Sequence, residues 1–383
     1  MIVKNLTYKF ILFLYFSRFI LSTVPGQFIL FMLFTRRPYL PLRVWFYLLI
    51  VTFYWTVVLC FNFSKIPFQH LLFYFSFVPT FLILVSYNPR NLVKLFLNYF
   101  GIFILFLTLI EAFLINSSFI KYLYFLPPAG SSEYALSFGL YQRPFGVCGN
   151  ATMTTCTLVF ASALGDTYRK LFPQDFISTS KKIPNIFSLN MLILFLNIVL
   201  LMSGTGLILF LIYLFMKCLL EGKFTYYKVF ISILVLLFIS LFIVSSFTLL
   251  DQDVFHKANK FSFTYISYIV LIKYYAVFND YDPNTTMLVN LLGQNISLNL
   301  EKAITSGDFG FIVMHEAIGI IGLMLVLLSP FVFIKSIKHF TVPIVIFYLS
   351  FIHYPALLSA PGAINFGILL YLLNRNKYNN SIL

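Results

Sequence analysis

Long runs of apolar residues recur along almost the whole chain, with shorter polar stretches between them. A bilayer core about 30 Å thick needs roughly 20 apolar residues per helix, and spans of about 17 to 25 residues are observed. The pattern therefore predicts an all-α polytopic membrane protein with about 11 transmembrane helices (range about 10 to 12) in one integral membrane domain, residues 1–383. The predicted spans are Ile11–Phe34, Val44–Phe61, Leu71–Val85, Leu95–Ile115, Val147–Leu164, Phe187–Met202, Leu207–Leu220, Val229–Leu249, Phe311–Leu328, Val342–Leu358 and Ala360–Leu373.

Composition narrows the class of protein further. The chain is 60% hydrophobic and 10% charged, whereas a soluble domain carries about 25% charged residues. This excludes a cytosolic enzyme, a disordered chain and a nucleic-acid-binding domain, because the net charge of +14 is dispersed through an apolar chain. The four cysteines form no CxxC pair, so the sequence indicates neither a disulfide framework nor a zinc site.

The distribution of lysine and arginine predicts the orientation, because loops rich in these residues stay in the cytoplasm. One alternating set of loops holds 16 of them and the other set holds seven. We therefore expect a cytoplasmic C-terminus and two long segments outside the cytoplasm, a first one over residues 116–146 and a main loop over 251–310. Loops longer than about 15 residues are usually functional or disordered, so we seek function in these two segments.

The main loop contains six of the chain's 12 acidic residues and a patch of mixed charge around His256, Lys257 and Lys260. One interpretation is a solvated loop whose charges keep it out of the bilayer. The other is a cationic clamp for a phosphate-bearing ligand, since ammonium groups beside a low-dielectric boundary attract phosphate strongly. Composition alone does not separate the two.

The first polar segment ends in Tyr141, Gln142 and Arg143, directly before an apolar span. An arginine at this position can snorkel to the membrane interface. Its planar guanidinium can also form a bidentate contact with a pyrophosphate, which the lysine ammonium cannot do as well. Two acidic residues, Glu111 and Glu316, lie within apolar stretches of the sequence. Ionisable residues inside membrane spans usually face a cavity or a partner.

Three motifs together resemble the O-antigen polymerase and ligase group. RPFGVCGN (143–150) resembles the group's pattern at the start of a helix, and SGTG (203–206) resembles its turn between two close spans. GDFGFIVMHEAIGIIGLMLVLL (307–328) is similar to the group's acid-aromatic and GxxGL pattern that ends the long external loop. The closest similarity is to the Wzy-type O-antigen or capsule repeat-unit polymerases.

This resemblance implies a glycosyltransferase of the bacterial inner membrane with a fold of the GT-C type and an active site facing the periplasm. Its substrates would be oligosaccharides on undecaprenyl pyrophosphate, with the growing glycan transferred to the terminal sugar hydroxyl of the next repeat unit in polysaccharide or lipopolysaccharide biosynthesis. Its partners would be the bilayer, a chain-length regulator and a flippase of the same pathway. Nucleic acid is not an expected partner.

The resemblance also implies roles for individual residues. Arg143 would bind the donor pyrophosphate, with Tyr141 beside it in substrate binding. Lys260, supported by Lys257 and His256, occupies a place where relatives commonly carry arginine. Asp308 would act as general base for the acceptor hydroxyl. Further members of the predicted site are His315 as a catalytic residue and Glu316 and Glu133 as substrate-binding residues.

We expect metal-independent transfer without a cofactor, because the leaving group is already a pyrophosphate whose charge cationic side chains of the protein can stabilise. An O-antigen ligase with the same donor and a lipid A core acceptor is the nearest alternative, although Asp308 stands where ligases tend to carry histidine. A lipid-linked oligosaccharide flippase or another transporter is a second alternative. Transporters tend to show paired repeats, and matching halves are not evident in this sequence.

Overall fold

A computed structural model gives the architecture of the chain. It describes residues 40–62, 77–114, 137–138, 141–142, 144–148, 150–174, 186–220, 291–292, 310–334, 339–352, 357 and 359–379. The helices in these ranges are α1 (Leu42–Asn62), α2 (Phe77–Tyr87), α3 (Arg90–Leu114), α4 (Ala151–Leu171), α5 (Ile186–Leu200), α6 (Gly204–Leu220), α7 (Gly310–Phe333), α8 (Thr341–Ser350) and α9 (Ala360–Asn379). A two-stranded antiparallel hairpin, β1 (Ser137–Phe138) and β2 (Tyr141–Gln142), precedes α4.

Helices occupy nine of the eleven predicted span positions, and the all-α fold class is confirmed to that extent. The predicted spans at 11–34 and 229–249 lie outside the described residues. Several boundaries differ from the prediction by five residues or more. Helix α4 continues to Leu171 instead of Leu164, and α8 ends at Ser350 instead of Leu358. Helix α3 begins at Arg90 instead of Leu95, and α7 and α9 end at Phe333 and Asn379 instead of Leu328 and Leu373.

Helix α4 lies at the centre of the bundle and packs against α3, α5, α6, α8 and α9. It is buried along most of its length although it carries many hydroxyl groups. Several of these hydroxyls bond to carbonyls of the same helix, as Thr154 does to Asn150 and Thr167 does to Ala163. Because these buried hydroxyls donate their protons in this way, a polar helix can occupy the core at a reduced desolvation cost.

Contacts between helix ends define one end of the bundle, which we call the basic end. There, the Arg43 side chain of α1 donates to the Phe333 carbonyl of α7 at 3.4 Å. The Tyr168 hydroxyl of α4 donates to the Arg90 carbonyl of α3 at 3.2 Å. Every lysine or arginine whose side chain the structure describes lies at this end: Arg43, Arg90, Lys94, Arg169, Lys170, Lys217 and Arg375.

The opposite end, where α4, α6, α7 and α9 begin, we call the motif end. The backbone N–H of Phe311 at the start of α7 donates to the carbonyl of Phe351 just after α8. From α1 to α6, successive described helices alternate in direction between the two ends. Helix α6 ends at the basic end, and α7 begins at the motif end.

Large apolar side chains are exposed on several helices, at the helical spacing that gives each one an outward apolar face. On α3, for example, Tyr99, Phe106 and Phe113 are 59%, 60% and 86% exposed. In the part of the chain that the structure describes, one helix, Arg90–Leu114, is long and apolar enough to cross a membrane by length and composition. The number of eleven spans stays a prediction.

Candidate functional site

Glu111 holds the chain that follows Arg143. This residue is fully buried near the end of α3. Its two carboxylate oxygens accept the backbone N–H groups of Phe145 at 2.6 Å and of Gly146 at 2.8 Å. A carboxylate that accepts two backbone N–H groups makes charge-assisted bonds, which are about twice as strong as neutral ones. The position of the RPFGVCGN segment is thus fixed by an acid from a different helix.

A tight turn then leads into α4. Gly146 has a φ of +74°, a conformation that L-residues with a side chain rarely adopt. A Cβ atom at this position would fall 2.6 Å from the Thr154 hydroxyl oxygen, so the turn also packs too closely for alanine. The Asn150 side chain caps α4 by accepting from the N–H groups of Thr152 at 2.8 Å and Met153 at 3.2 Å.

The SGTG motif caps α6 and packs against the same turn of α4. The Ser203 hydroxyl oxygen accepts the N–H of Gly206 at 3.1 Å. The Thr155 hydroxyl of α4 lies 2.9 Å from this oxygen, within hydrogen-bond distance. A side chain on Gly206 would overlap Thr155, so the glycine permits this close approach. The RPFGVCGN segment and the SGTG motif therefore contact adjacent residues of α4, Thr154 and Thr155, at the motif end.

Helix α9 begins beside this pair. Ser359 caps it, since the Ser359 hydroxyl oxygen accepts the N–H of Gly362 at 3.1 Å. The buried side-chain amide of Asn365 donates to the Thr157 carbonyl at 3.4 Å. The Cys148 sulfur lies 3.7 Å from the Thr157 hydroxyl. Buried polar contacts thus connect the starts of α4 and α9.

Residues 310–328 of the third motif form most of α7, which is kinked. Gly319 leaves helical geometry with φ 63° and ψ 177°. Tyr54 of α1 packs at this kink, because its hydroxyl donates to the Ile318 carbonyl and its ring would collide with any side chain on Gly322. Both glycines of the GxxG pair therefore have a structural reason to be glycine. His315 lies one helical turn after Phe311 and is partly exposed.

The described residues cover the predicted site only in part. Tyr141 lies in β2, three positions before Pro144 and the Glu111-bound turn, and His315 and Glu316 lie in the first half of α7. Arg143 itself, Asp308, Glu133, His256, Lys257 and Lys260 lie outside the described residues. Described neighbours of the two main residues, Pro144 and Gly310, both belong to the motif end. Among the described residues, no three His, Cys, Asp or Glu side chains form a group that could hold a metal ion.

Two polar features were missed by sequence reasoning. The first is the Glu111 contact, for which the only signal was an acid inside an apolar run. The second is a cluster around Asp166 of α4 at the basic end. Its carboxylate pairs with Lys217 and accepts the Tyr213 hydroxyl at 2.5 Å. The sequence GDTYRK around Asp166 is typical of a solvated connector, so hydropathy alone does not indicate a buried cluster.

Comparison with protein-family models, with curated proteins and with solved structures gave no match. The arrangement can nevertheless be described chemically. In sequence, Arg143 directly precedes the turn that Glu111 binds, and Asp308 stands two residues before α7 begins at Gly310. A cation can stabilise a leaving anion, and a carboxylate can accept a proton.

Proposed function

We propose that this protein is an integral membrane glycosyltransferase that polymerises undecaprenyl-pyrophosphate-linked oligosaccharide repeat units. The observation that carries the proposal is the convergence of the RPFGVCGN and SGTG motifs on the first two turns of α4, with Glu111 holding the chain beside Arg143. The third motif begins at the same end of the bundle. An ordinary helix connector does not need a buried carboxylate dedicated to its backbone.

A membrane location is supported by two further observations. The outward apolar faces of α1, α3, α5 and α7 suit contact with lipid chains, and the basic side chains that the structure describes gather at one end. Under the positive-inside rule the basic end faces the cytoplasm and the motif end faces the periplasm. Because lipid-linked repeat units reach a polymerase from the periplasmic leaflet, the proposed site and the proposed orientation agree.

In the proposed reaction, the acceptor sugar hydroxyl attacks the anomeric carbon of the donor glycan. A new glycosidic bond forms, the bond from that carbon to the phosphate oxygen breaks, and undecaprenyl pyrophosphate leaves. Asp308 takes the proton of the attacking hydroxyl. Arg143 stabilises the negative charge that grows on the pyrophosphate, and Glu111 acts as a positioning residue by fixing the turn that follows Arg143.

The banding pattern of lipopolysaccharide from a deletion strain tests this function. A polymerase defect leaves a single repeat unit on the lipid A core, and complementation with the intact gene restores the ladder. Bare core with lipid-linked polymer accumulating would identify a ligase instead. Bare core with precursors accumulating in the cytoplasmic leaflet would identify a flippase. An unchanged ladder would contradict all three functions.

A further inference from the structure

A cavity of about 320 Å³ opens between α4, α6 and α8 at the basic end, away from the proposed active site. Its polar lining consists of Asp166, Thr167, Lys170, Tyr213, Lys217 and His339. Ala163, Leu220 and Val342 supply an apolar part of the wall. The cavity is therefore amphipathic, with ammonium groups and hydroxyls beside hydrocarbon.

The charges of the lining are predominantly positive. Asp166 is its one carboxylate among the described residues, and it faces Lys217 in an ion pair. Arg169, on the same helix, places a guanidinium nitrogen 3.7 Å from the other Asp166 oxygen. Lys170 and His339 add further nitrogen donors at the mouth, where both side chains are exposed. Even with Asp166 ionised, the surroundings favour an anion.

Asp166 orients the deeper part of the cavity. It bonds to both Lys217, which is only 6% exposed, and Tyr213, which is 1% exposed. Burying such an ion pair is costly, and apolar residues of similar volume often serve stability equally well. A stability role alone therefore does not account for the cluster, whereas recognition of an anion does.

We propose that this cavity binds the phosphate group of an anionic phospholipid headgroup, with the acyl chain lying along the apolar wall. The inference rests on the membrane location and orientation given under the proposed function, but not on polymerase activity. Basic pockets between transmembrane helices on the cytoplasmic side are suited to anionic headgroups. Lysine provides point-charge contacts to phosphate, which Lys170 at the mouth and Lys217 deeper in the cavity can supply.

The test uses the purified full chain in phosphatidylcholine nanodiscs, with and without phosphatidylglycerol, and measures the thermal unfolding midpoint and lipid retention by native mass spectrometry. A bound ligand raises the midpoint in proportion to its affinity for the folded state. We expect phosphatidylglycerol to stabilise the wild-type protein, and Lys170→Gln to weaken its binding roughly fivefold. The matched control is Lys94→Gln, which removes the same charge at the same end but outside the cavity.

A second variant tests the deeper wall without leaving a buried charge unpaired. Asp166→Asn combined with Lys217→Met removes both ions, and we expect it to fold and to lose the preference for phosphatidylglycerol. Equal phosphatidylglycerol affinity in Lys170→Gln, Lys94→Gln and wild type would overturn the proposal. Stabilisation by inorganic pyrophosphate but not by phosphatidylglycerol would overturn the lipid as the source of the phosphate. None of these readouts requires turnover, so a failed polymerase assay leaves the lipid result interpretable.

Discussion

The two ends of the bundle use polar residues in different ways. At the basic end, polar side chains contact side chains and carbonyl groups of other segments: Asp166 pairs with Lys217, Arg169 donates to the Asn98 side chain at 3.2 Å, and Tyr168 donates to the Arg90 carbonyl. At the motif end, polar side chains hold backbone: Glu111, Asn150 and Ser203 accept N–H groups from turns and helix starts. Contacts between different helices at the basic end hold the helix ends next to one another. Bonds to backbone instead fix the path of a turn, which is what a site that presents residues from its loops requires.

Substitution of Arg143 should reduce polymer formation more than any other change considered, whereas the matched substitution at the basic end should not reduce it. We expect Arg143→Ala to abolish polymer, because a lost donor to the developing anion costs roughly 2.7 to 4 kcal/mol in the transition state. Arg143→Lys should leave a small amount of polymer, since lysine keeps the positive charge but lacks the planar guanidinium that binds phosphate through two N–H groups. The measurement is the polymer ladder relative to protein level in the membrane. Arg43→Ala at the basic end is the matched control and should polymerise normally.

Asp308→Asn tests the other proposed catalytic residue. The change is nearly isosteric and removes only the basic function, so we expect the transfer rate to fall roughly 10²- to 10⁴-fold while the protein level is unchanged. Single-turnover transfer with purified protein and lipid-linked repeat units measures this. A full rate from a well-expressed Asp308→Asn protein would remove this residue from the mechanism and leave Arg143 to be judged separately.

Glu111→Gln tests the contact that positions the motif-end turn. Glutamine has one acceptor oxygen instead of two, so one of the N–H groups of Phe145 and Gly146 loses its partner. An unsatisfied buried donor costs about 1–3 kcal/mol, and displacement of a reacting group by about 1 Å can cost about 10² in rate. We therefore expect a lower unfolding midpoint together with slower transfer.

Thr108→Val is the control for Glu111→Gln on the same helix. The Thr108 hydroxyl is buried and has no hydrogen-bond partner among the described residues. Its removal should leave both the unfolding midpoint and the transfer rate near the wild-type values, because no bond is lost. If Glu111→Gln behaves like Thr108→Val, the contact from Glu111 to the turn does not position the site.

Two glycine-to-alanine substitutions should have the smallest effects, and they should change the free energy of unfolding in opposite directions. Gly146→Ala places a Cβ at positive φ and against Thr154, and should destabilise the fold by about 1–2 kcal/mol or more. Gly165→Ala lies in α4, where the nearest atom to a new Cβ is 3.7 Å away. It should stabilise the helix by about 0.5–1 kcal/mol. Chemical denaturation of the purified protein measures both changes in the free energy of unfolding. If Gly146→Ala stabilised the protein as Gly165→Ala is expected to do, the tight turn at Gly146 would be contradicted.

Helix positions could be predicted because each apolar run is long enough to form a helix, whatever surrounds it. Helix α4 shows where this reasoning fails. Its last turns carry Asp166, Arg169 and Lys170, which lower the hydropathy, yet Asp166 pairs with Lys217 and Thr167 donates to the His339 carbonyl at 3.1 Å. These partners lie on other helices, so no local window of sequence contains them.

For the candidate site, as for the helices, the sequence predicts segments but not the contacts between them. The three motifs predict which segments form the site, and two of these segments contact α4. An acid in an apolar run predicted that Glu111 faces a partner, but not that the partner is backbone 34 residues away. The GxxG glycines entered the prediction only as part of the third motif, and neither the positive φ of Gly319 nor its neighbour Tyr54 from α1 could be read from that pattern.

The central claim is that the two ends face opposite sides of the membrane, with the motif end outside. Single cysteines placed at Ile352, which is 48% exposed at the motif end, and at Gln174, which is exposed just after α4 at the basic end, test it in a background lacking the four native cysteines. The measurement is labelling of intact spheroplasts with a membrane-impermeant maleimide. We predict labelling of Ile352→Cys from outside and of Gln174→Cys only after permeabilisation. Labelling of Gln174→Cys in intact spheroplasts, with Ile352→Cys protected until permeabilisation, would contradict the orientation and the proposed active face.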